Sequence, residues 1–213
     1  MITAYFHIHT KYSHDSKIEP KDIIKIAEKN GIDVLGICDH NTPMGAIEAK
    51  RLSKKVLVLI GQEIKTKYGD LMVFGSGESL RRDLFGLLDK AKSSGLFVIL
   101  PHPFDSLRKS SSIGENLTSE QMKEVAGKFD SVEIFNSRCF FNSFNKEAKE
   151  FARQNRISGI AGSDAHLLNE IENAKNLLNC EKTEEAVYKA IRSGNLTWRA
   201  KKTSKLNYLR KFL

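Results

Sequence analysis

Residues 34–60, VLGICDHNTPMGAIEAKRLSKKVLVLI, read as a strand, a helix and a second strand in succession. Val34 to Cys38 is short and apolar. A helix is expected from Gly45 to Ser53. Val56 to Ile60 is apolar without alternation, the pattern of a strand covered on both faces. Strands that take turns with helices form a mainly parallel sheet with the helices packed over it.

The same alternation runs outward in both directions. Upstream, Ile2 to Ile8 is a strand, and a helix starts at Pro20, carries Ile23, Ile24 and Ala27, and stops at Gly31. Downstream, Leu71 to Phe74 is a strand set between glycines. Leu80, Leu84, Leu87, Leu88 and Ala91 keep helical spacing as far as Gly95, and Phe97 to Leu100 is a strand stopped by Pro101. The serine-rich stretch from Phe104 to Leu117 reads as a long polar loop. Thr118 and Gln121 make a capping box for a helix reaching about Phe129. Val132 to Phe135 is a strand, Asn142 to Gln154 a helix, Ile157 to Ala161 a strand, and Thr183 to Arg192 a last helix ended by Gly194. Seven strands in about 165 residues fit a small α/β protein, a compressed, TIM-like (β/α)7 barrel. The rival, an open doubly wound sheet, lacks a glycine-rich phosphate loop after the first strand.

The 213 residues, 40% hydrophobic and 28% charged, suit one domain. It is expected over residues 1–200, followed by a basic tail over 201–213. No apolar run approaches the roughly 20 residues that cross a bilayer. Met1 leads straight into a strand, so no secretory signal and no membrane partner are expected. Cys38, Cys139 and Cys180 are too few and too scattered for a disulfide framework and suit a reducing cytoplasm. The net charge of +8 favours an anionic partner.

The six histidines carry the functional signal. His7 and His9 lie at the end of the first strand, two apart and so on one face. His40 follows the second strand in Cys38-Asp39-His40-Asn41-Thr42. Glu63 ends the third, and His102 follows another between Pro101 and Pro103. Asp164 and His166 follow the last in Gly162-Ser163-Asp164-Ala165-His166. In a parallel barrel these strand ends share the rim where such barrels build active sites. Imidazole and carboxylate are the usual donors to zinc, manganese or iron. Each piece has a plainer reading: His-x-His as a buried polar pair, Asp39 to Thr42 as a turn, Asp164 as a helix cap. Recurrence at one end of successive strands favours a metal site. His14 reads as a surface residue.

His7-x-His9-Thr10, Ser13-x-Asp15, Asp39-His40-Asn41-Thr42, Glu63, Pro101-His102-Pro103 and Gly162-Ser163-Asp164-Ala165-His166 together resemble the PHP (polymerase and histidinol phosphatase) domain, from about Met1 to about Gly194. The resemblance implies a distorted seven-stranded barrel whose C-terminal rim holds two or three divalent metals (zinc, manganese or iron) that act in phosphate ester hydrolysis. It implies that His7, His9, Glu63 and Asp164 surround one metal. Glu63 would bridge to a second, also held by His102, and Asp15, His40 and His166 would hold a third. Where many relatives place a further histidine after the sixth strand, this chain has Asn136. An amide oxygen is a poorer ligand, so the second metal is expected to be the most weakly held.

The expected activity is hydrolysis of a phosphate ester of a small metabolite or nucleotide by a metal-activated water. No side-chain nucleophile is identified. Asp39 is expected to orient a ligand histidine from behind. Arg138, leaving a rigid strand end, and Arg108, in the long loop, are the candidates to clamp phosphate. A nuclease trimming oligonucleotide ends is the alternative enzyme. A non-catalytic RNA-binding or scaffold protein on the same barrel is the alternative of another class, and retention of all eight proposed ligands argues against it. The tail, with Arg199, Lys201, Lys202, Lys205, Arg210 and Lys211 among apolar residues, reads first as a docked terminal helix and second as a contact for nucleic acid or a membrane surface.

Overall fold

The computed structural model describes residues 1–204, 206 and 207. β1 (Ile2–Ile8) leads to α1 (Pro20–Lys29), β2 (Val34–His40), α2 (Met44–Leu52), β3 (Leu57–Thr66), β4 (Gly69–Phe74), α3 (Leu84–Ser93) and β5 (Phe97–Leu100). A 3₁₀ segment (Ser106–Ser111), α4 (Ile113–Asn116), α5 (Ser119–Ala126), β6 (Ser131–Asn136), α6 (Asn142–Gln154) and β7 (Gly159–Ala165) follow. A second 3₁₀ segment (Leu168–Asn173), β8 (Ala174–Leu178), α7 (Glu184–Arg192) and β9 (Leu196–Ala200) complete the described elements.

Strands β1 to β7 pair in chain order, and β7 pairs back onto β1, so the sheet closes into a seven-stranded barrel. Six of its pairings join successive strands, and all but those of β4 are parallel. β4 is antiparallel to both β3 and β5. No helix fits between Thr66 and Gly69, so the chain turns straight back as a hairpin. The expectation of strand ends alone at the rim therefore fails at β4, whose first residues lie there instead.

Side-chain alternation separates two faces. Leu59, Met72, Phe74, Phe97, Ile99 and Ile160 join Ala4 and Phe6 in one cluster inside the ring. Tyr5, Ile8, Leu35, Ile37 and Val58 pack outward under α1 and α2, and Val73, Val98, Leu100 and Val132 outward under α3 and α6. Along β1, Ala4 and Phe6 face in and Tyr5 faces out, so strict alternation would send His7 outward. Pairing with β2 slips between Phe6 and Ile8, a bulge centred on His7, whose φ is 63°. The bulge turns His7 inward and keeps Ile8 outward, which leaves His9 facing in as well.

The lower end of the ring is closed by the expected last helix and by two strands the sequence pattern did not announce. β8 pairs antiparallel with the first residues of β1, and β9 with β8. Val187, Tyr188 and Ile191 of α7 join the inner cluster, and Tyr188 stacks on Phe97 with ring centroids 4.4 Å apart. β8 carries buried Asn176 where an apolar residue would mark a strand. Its amide oxygen accepts from the Ala161 N–H at 3.0 Å and its amide nitrogen donates to the Ala161 carbonyl at 2.8 Å. Asn176 thus supplies the partner β7 lacks where β1 turns from β7 to β8.

The stretch expected as a loop from Phe104 to Leu117 holds the first 3₁₀ segment and α4. Ser112 Oγ lies 3.1 Å from the His102 carbonyl and 3.0 Å from that of Asp105, which ties it back to β5. The capping box at Thr118 and Gln121 is present. Of the tail, Lys202 donates to the Phe140 carbonyl at 2.8 Å and Thr203 N–H to that of Ser137 at 2.9 Å. Lys205, Arg210 and Lys211, three of the six basic residues behind its nucleic-acid reading, lie outside the described residues. No described helix is long and apolar enough to cross a membrane.

Candidate metal centre

Above the inner apolar cluster the barrel turns polar. His7 and His9 aim their Nε2 atoms at Glu63, 3.4 Å from Oε1 and 3.3 Å from Oε2, and at Asp164 Oδ1, 3.7 and 3.6 Å away. His102 Nε2 lies 3.0 Å from Glu63 Oε1. On the other side His40 Nδ1 is 3.3 Å from Glu63 Oε2, and Asp15 faces both His40 at 3.5 Å and His166 at 3.0 Å. All eight residues expected at the site converge on it, from segments up to 159 positions apart. Their donor atoms fall into overlapping sets: His7, His9 and Glu63; His7, His102 and Asp164; and His9, Asp15, His40 and His166.

Backbone strain accompanies this convergence. His7, His102 and Asp164 have φ of 63°, 26° and 51°, a region that residues other than glycine rarely adopt. Such conformations cost on the order of 1–3 kcal/mol each and persist where surrounding structure enforces them. Here each lies where a strand bulges or ends at the rim, and each aims a donor inward.

A second layer sets the imidazoles. His7 Nδ1 donates to Glu133 Oε1 at 2.9 Å, and the His102 N–H donates to Glu133 Oε2 at 2.9 Å. Glu133 lies over Gly162, where any Cβ would collide with its carboxylate. His9 Nδ1 meets Ser13 Oγ at 3.0 Å, and that hydroxyl donates to Asp39 Oδ1 at 2.8 Å. The hydroxyl proton is therefore committed, so His9 Nδ1–H is the donor and its Nε2 lone pair faces the cavity. Asp39 acts on His9 through Ser13, the position expected of it. His166 Nδ1 donates to the Asp164 carbonyl at 2.8 Å, turning Nε2 toward Asp15.

The residues fit divalent metal. His7 Nε2 and His9 Nε2 are fully buried and make no hydrogen bond, with carboxylate oxygens their near neighbours. Buried lone pairs facing carboxylates demand a positive charge between them. The titration directions agree. Burial would lower His7, but Glu133, Glu63 and Asp164 outweigh it and raise it well above the ordinary histidine value. For His40 burial is likewise outweighed, by Glu63 and Asp15, to about 9. Burial opposes ionisation of Glu63 and Asp164, yet histidines (with Arg108 at Asp164) hold both well below the usual carboxylate range. His166 goes the other way, to about 4, through burial and then His9.

Of the two arginines expected to clamp phosphate, Arg108 lines the cavity and Arg138 does not. Arg138 does not reach the cavity: it is 3% exposed and donates to Glu170 Oε2 at 2.8 Å. Glu170 also accepts from the N–H groups of His166 and Leu167 at 2.9 and 3.1 Å. The pair therefore braces the segment carrying His166. Arg108 lines a cavity of about 330 Å³ over the histidines and carboxylates. It is held by Asp105 at 2.8 Å and donates to Asp164 Oδ2 at 2.6 Å. The loop that carries it is anchored by Ser112, so sequence reasoning undervalued it.

Asn136 does not offer a free lone pair. Its Oδ1 accepts from the N–H groups of Arg138 and Cys139 at 2.8 and 3.1 Å and from Arg108 at 3.3 Å. Its Nδ2 donates to Glu133 at 2.8 Å and Asp164 at 3.2 Å. The expected weak ligand is thus a brace between two carboxylates. Sequence reasoning missed Glu133 and Asp70, both buried on inner faces; His14, read as a surface residue, is exposed at the cavity mouth with its ring 5.0 Å from that of His40. Glu133 sat in a quoted strand as a lone charged residue among apolar neighbours, a signal that was there to use.

Residues 142–196, from α6 into β9, match the PHP-associated family model. An uncharacterized protein of Methanocaldococcus jannaschii, MJ1587, is 36% identical over 148 residues, covering 63% of this chain and 81% of that protein. The chain belongs to the PHP family. The PHP barrel is also seen in a two-domain protein of Bacteroides vulgatus described as containing a predicted PHP-like metal-dependent phosphoesterase. That structure has a TM-score of 0.74 and 17% identity, with 99% of this chain and 68% of that one covered. A putative metal-dependent phosphoesterase of Bifidobacterium adolescentis has a TM-score of 0.63 and 16% identity, over 77% and 87% of the two chains. At these identities the two structures speak for the PHP fold.

Proposed function

We propose that this PHP domain is a metal-dependent hydrolase of small phosphate esters. The observation that carries the reading is the pair of buried, unpartnered Nε2 atoms of His7 and His9 facing Glu63 and Asp164 beneath one open cavity. His7, His9, Glu63 and Asp164 would hold one ion, Glu63 and His102 a second, and Asp15, His40 and His166 a third. Divalent ions bound by such residues supply Lewis acidity and lower the pKa of a coordinated water.

The protein's own groups do the rest. Glu133 and the Ser13–Asp39 pair fix which imidazole nitrogen faces the cavity. Arg108, steadied by Asp105, presents a planar cation suited to phosphate oxygens. The cavity, about 330 Å³, matches a small metabolite ester or a nucleotide. Lys65 and Arg82 at its wall add positive charge that favours an anion.

The test is a screen of phosphate monoesters, nucleotides and short oligonucleotides with zinc, manganese, iron or magnesium supplied. Metal-dependent release of phosphate from a small ester, lost in His9→Ala and Asp164→Ala, supports the reading. Cleavage confined to oligonucleotides would replace it with the nuclease. Protein that carries no metal when purified and hydrolyses nothing with any metal supplied would leave the barrel a scaffold.

A further inference from the structure

The second ion is the one for which the sequence offers fewest donors: Glu63, shared with the first ion, and His102. The amide oxygen of Asn136, expected to add a third, is taken by backbone and Arg108 N–H groups. The hairpin reversal of β4 brings another group to that place. Asp70 pairs with Lys65 beside the turn of the β3–β4 hairpin, and Met72 with Glu63. Asp70 therefore shares the inward face with Met72 and Phe74, one alternation above the apolar cluster.

Asp70 is 3% exposed, and its Oδ1 makes no hydrogen bond. One donor atom each from Asp70, Glu63 and His102 lie within 4.8 Å of one another. The cation facing that oxygen is Lys65 Nζ at 3.4 Å, itself bound to Ser111 Oγ at 3.0 Å. A buried carboxylate oxygen left without a donor, beside a second carboxylate and an imidazole, is a strong preference for a cation.

We propose that Asp70 is a ligand of the second metal and supplies the donor that Asn136 does not. The inference rests on the metal-hydrolase reading above. Glu63, Asp70 and His102 give that ion two anionic oxygens and one imidazole. Such a set suits zinc, manganese or iron and leaves positions for water and substrate, as a catalytic site requires. Because Asp70 adds a full charge where an amide would add none, the second site is held more firmly than the sequence suggested.

Protein loaded with Zn²⁺ or Mn²⁺ is titrated with a chelator, and bound metal is counted after gel filtration, for wild type, Asp70→Asn, Asp70→Glu and Lys65→Met. Asp70→Asn should lose one ion at a chelator concentration at least tenfold lower than wild type does, with the remaining ions and the metal-free melting temperature little changed. Lys65→Met should keep all its ions. If Asp70→Asn fails to fold, Asp70→Glu carries the test: a shifted release midpoint for one ion supports the ligand role, and wild-type release overturns it. Wild-type retention in Asp70→Asn, or equal loss in Lys65→Met, overturns the proposal while leaving the hydrolase reading intact. Wild-type protein that binds no metal at all overturns both.

Discussion

His7 Nδ1 donates to Glu133 Oε1 at 2.9 Å, between two fully buried side chains 126 residues apart. The bond fixes the ring so that Nε2 faces the cavity, and it makes that nitrogen a stronger donor. Glu133 does the same for the His102 backbone with its other oxygen. One carboxylate thus aligns two ligand-bearing segments, and Asn136 in turn donates to it.

Glu133→Gln should weaken metal binding about 10- to 100-fold, the range for groups that orient ligand histidines from behind. The amide can still accept from one imidazole but brings no charge. Calorimetric titration of metal-free protein with Zn²⁺ reads the change. Unchanged affinity would show that Glu133 only fills space.

Gly162→Ala should be costlier than its size suggests. The added Cβ meets the Glu133 carboxylate, so either that group moves or β6 and β7 separate. Loss of both stability and metal affinity is expected, by chemical denaturation and metal counting. Retention of both would mean Glu133 has room elsewhere.

Arg138→Met should cost about 3–5 kcal/mol of stability, because it strands a fully buried Glu170 without its partner. Urea unfolding measures it. Since Arg138 does not line the cavity, the KM of the folded variant should stay near wild type. A large rise in KM with normal stability would return Arg138 to the substrate.

Arg108→Lys should act oppositely, raising KM and weakening inhibition by inorganic phosphate. The loss of a planar, charge-assisted contact is on the order of 1–3 kcal/mol. Stability should fall less, because this side chain is about a third exposed (32%). Unaltered kinetics would leave Arg108 as a brace for Asp164 alone.

pH dependence follows from His40, raised to about 9 in the metal-free site. Its folded pKa lies above its unfolded value, near 6.5. The stability it contributes is therefore complete below about pH 6.5 and lost as pH rises through about 9. Metal binding has the reverse sign: the proton must leave before the ring can coordinate, so affinity should climb across the same window. Calorimetry of Zn²⁺ binding in buffers of different ionisation enthalpy should show proton release at pH 7.5. Binding with no proton release would remove His40 from the ligand set.

Local pattern was enough for the barrel and for most of the donors. Each of the seven barrel strands is a short apolar run bounded by glycine, proline or polar residues. The motifs at their ends name His7, His9, His40, Glu63, His102, Asp164 and His166 without reference to any contact, and the PHP resemblance adds Asp15. Such signals are carried by neighbours within a few positions, which a linear reading sees. β8 and β9 were lost because Asn176 breaks the apolar alternation, and its reason for being there is the unpaired Ala161 backbone on another strand.

What tertiary structure alone decided was direction and pairing. The spacing of His7 and His9 implies a shared face, but the bulge at His7 determines that this face is the inner one. The reversal of β4 puts Asp70 at the rim, because a strand running backwards presents its first residues where its neighbours present their last. The same holds for the arginines. Arg138 and Arg108 are alike in charge, and the one nearer a strand end is not the one that lines the cavity. Which one meets the cavity depends on Glu170, 32 residues from Arg138, and on Asp105 and Ser112, which hold the other in place. A sequence states which groups can bind a cation; only the packed chain settles which of them have been left without another partner.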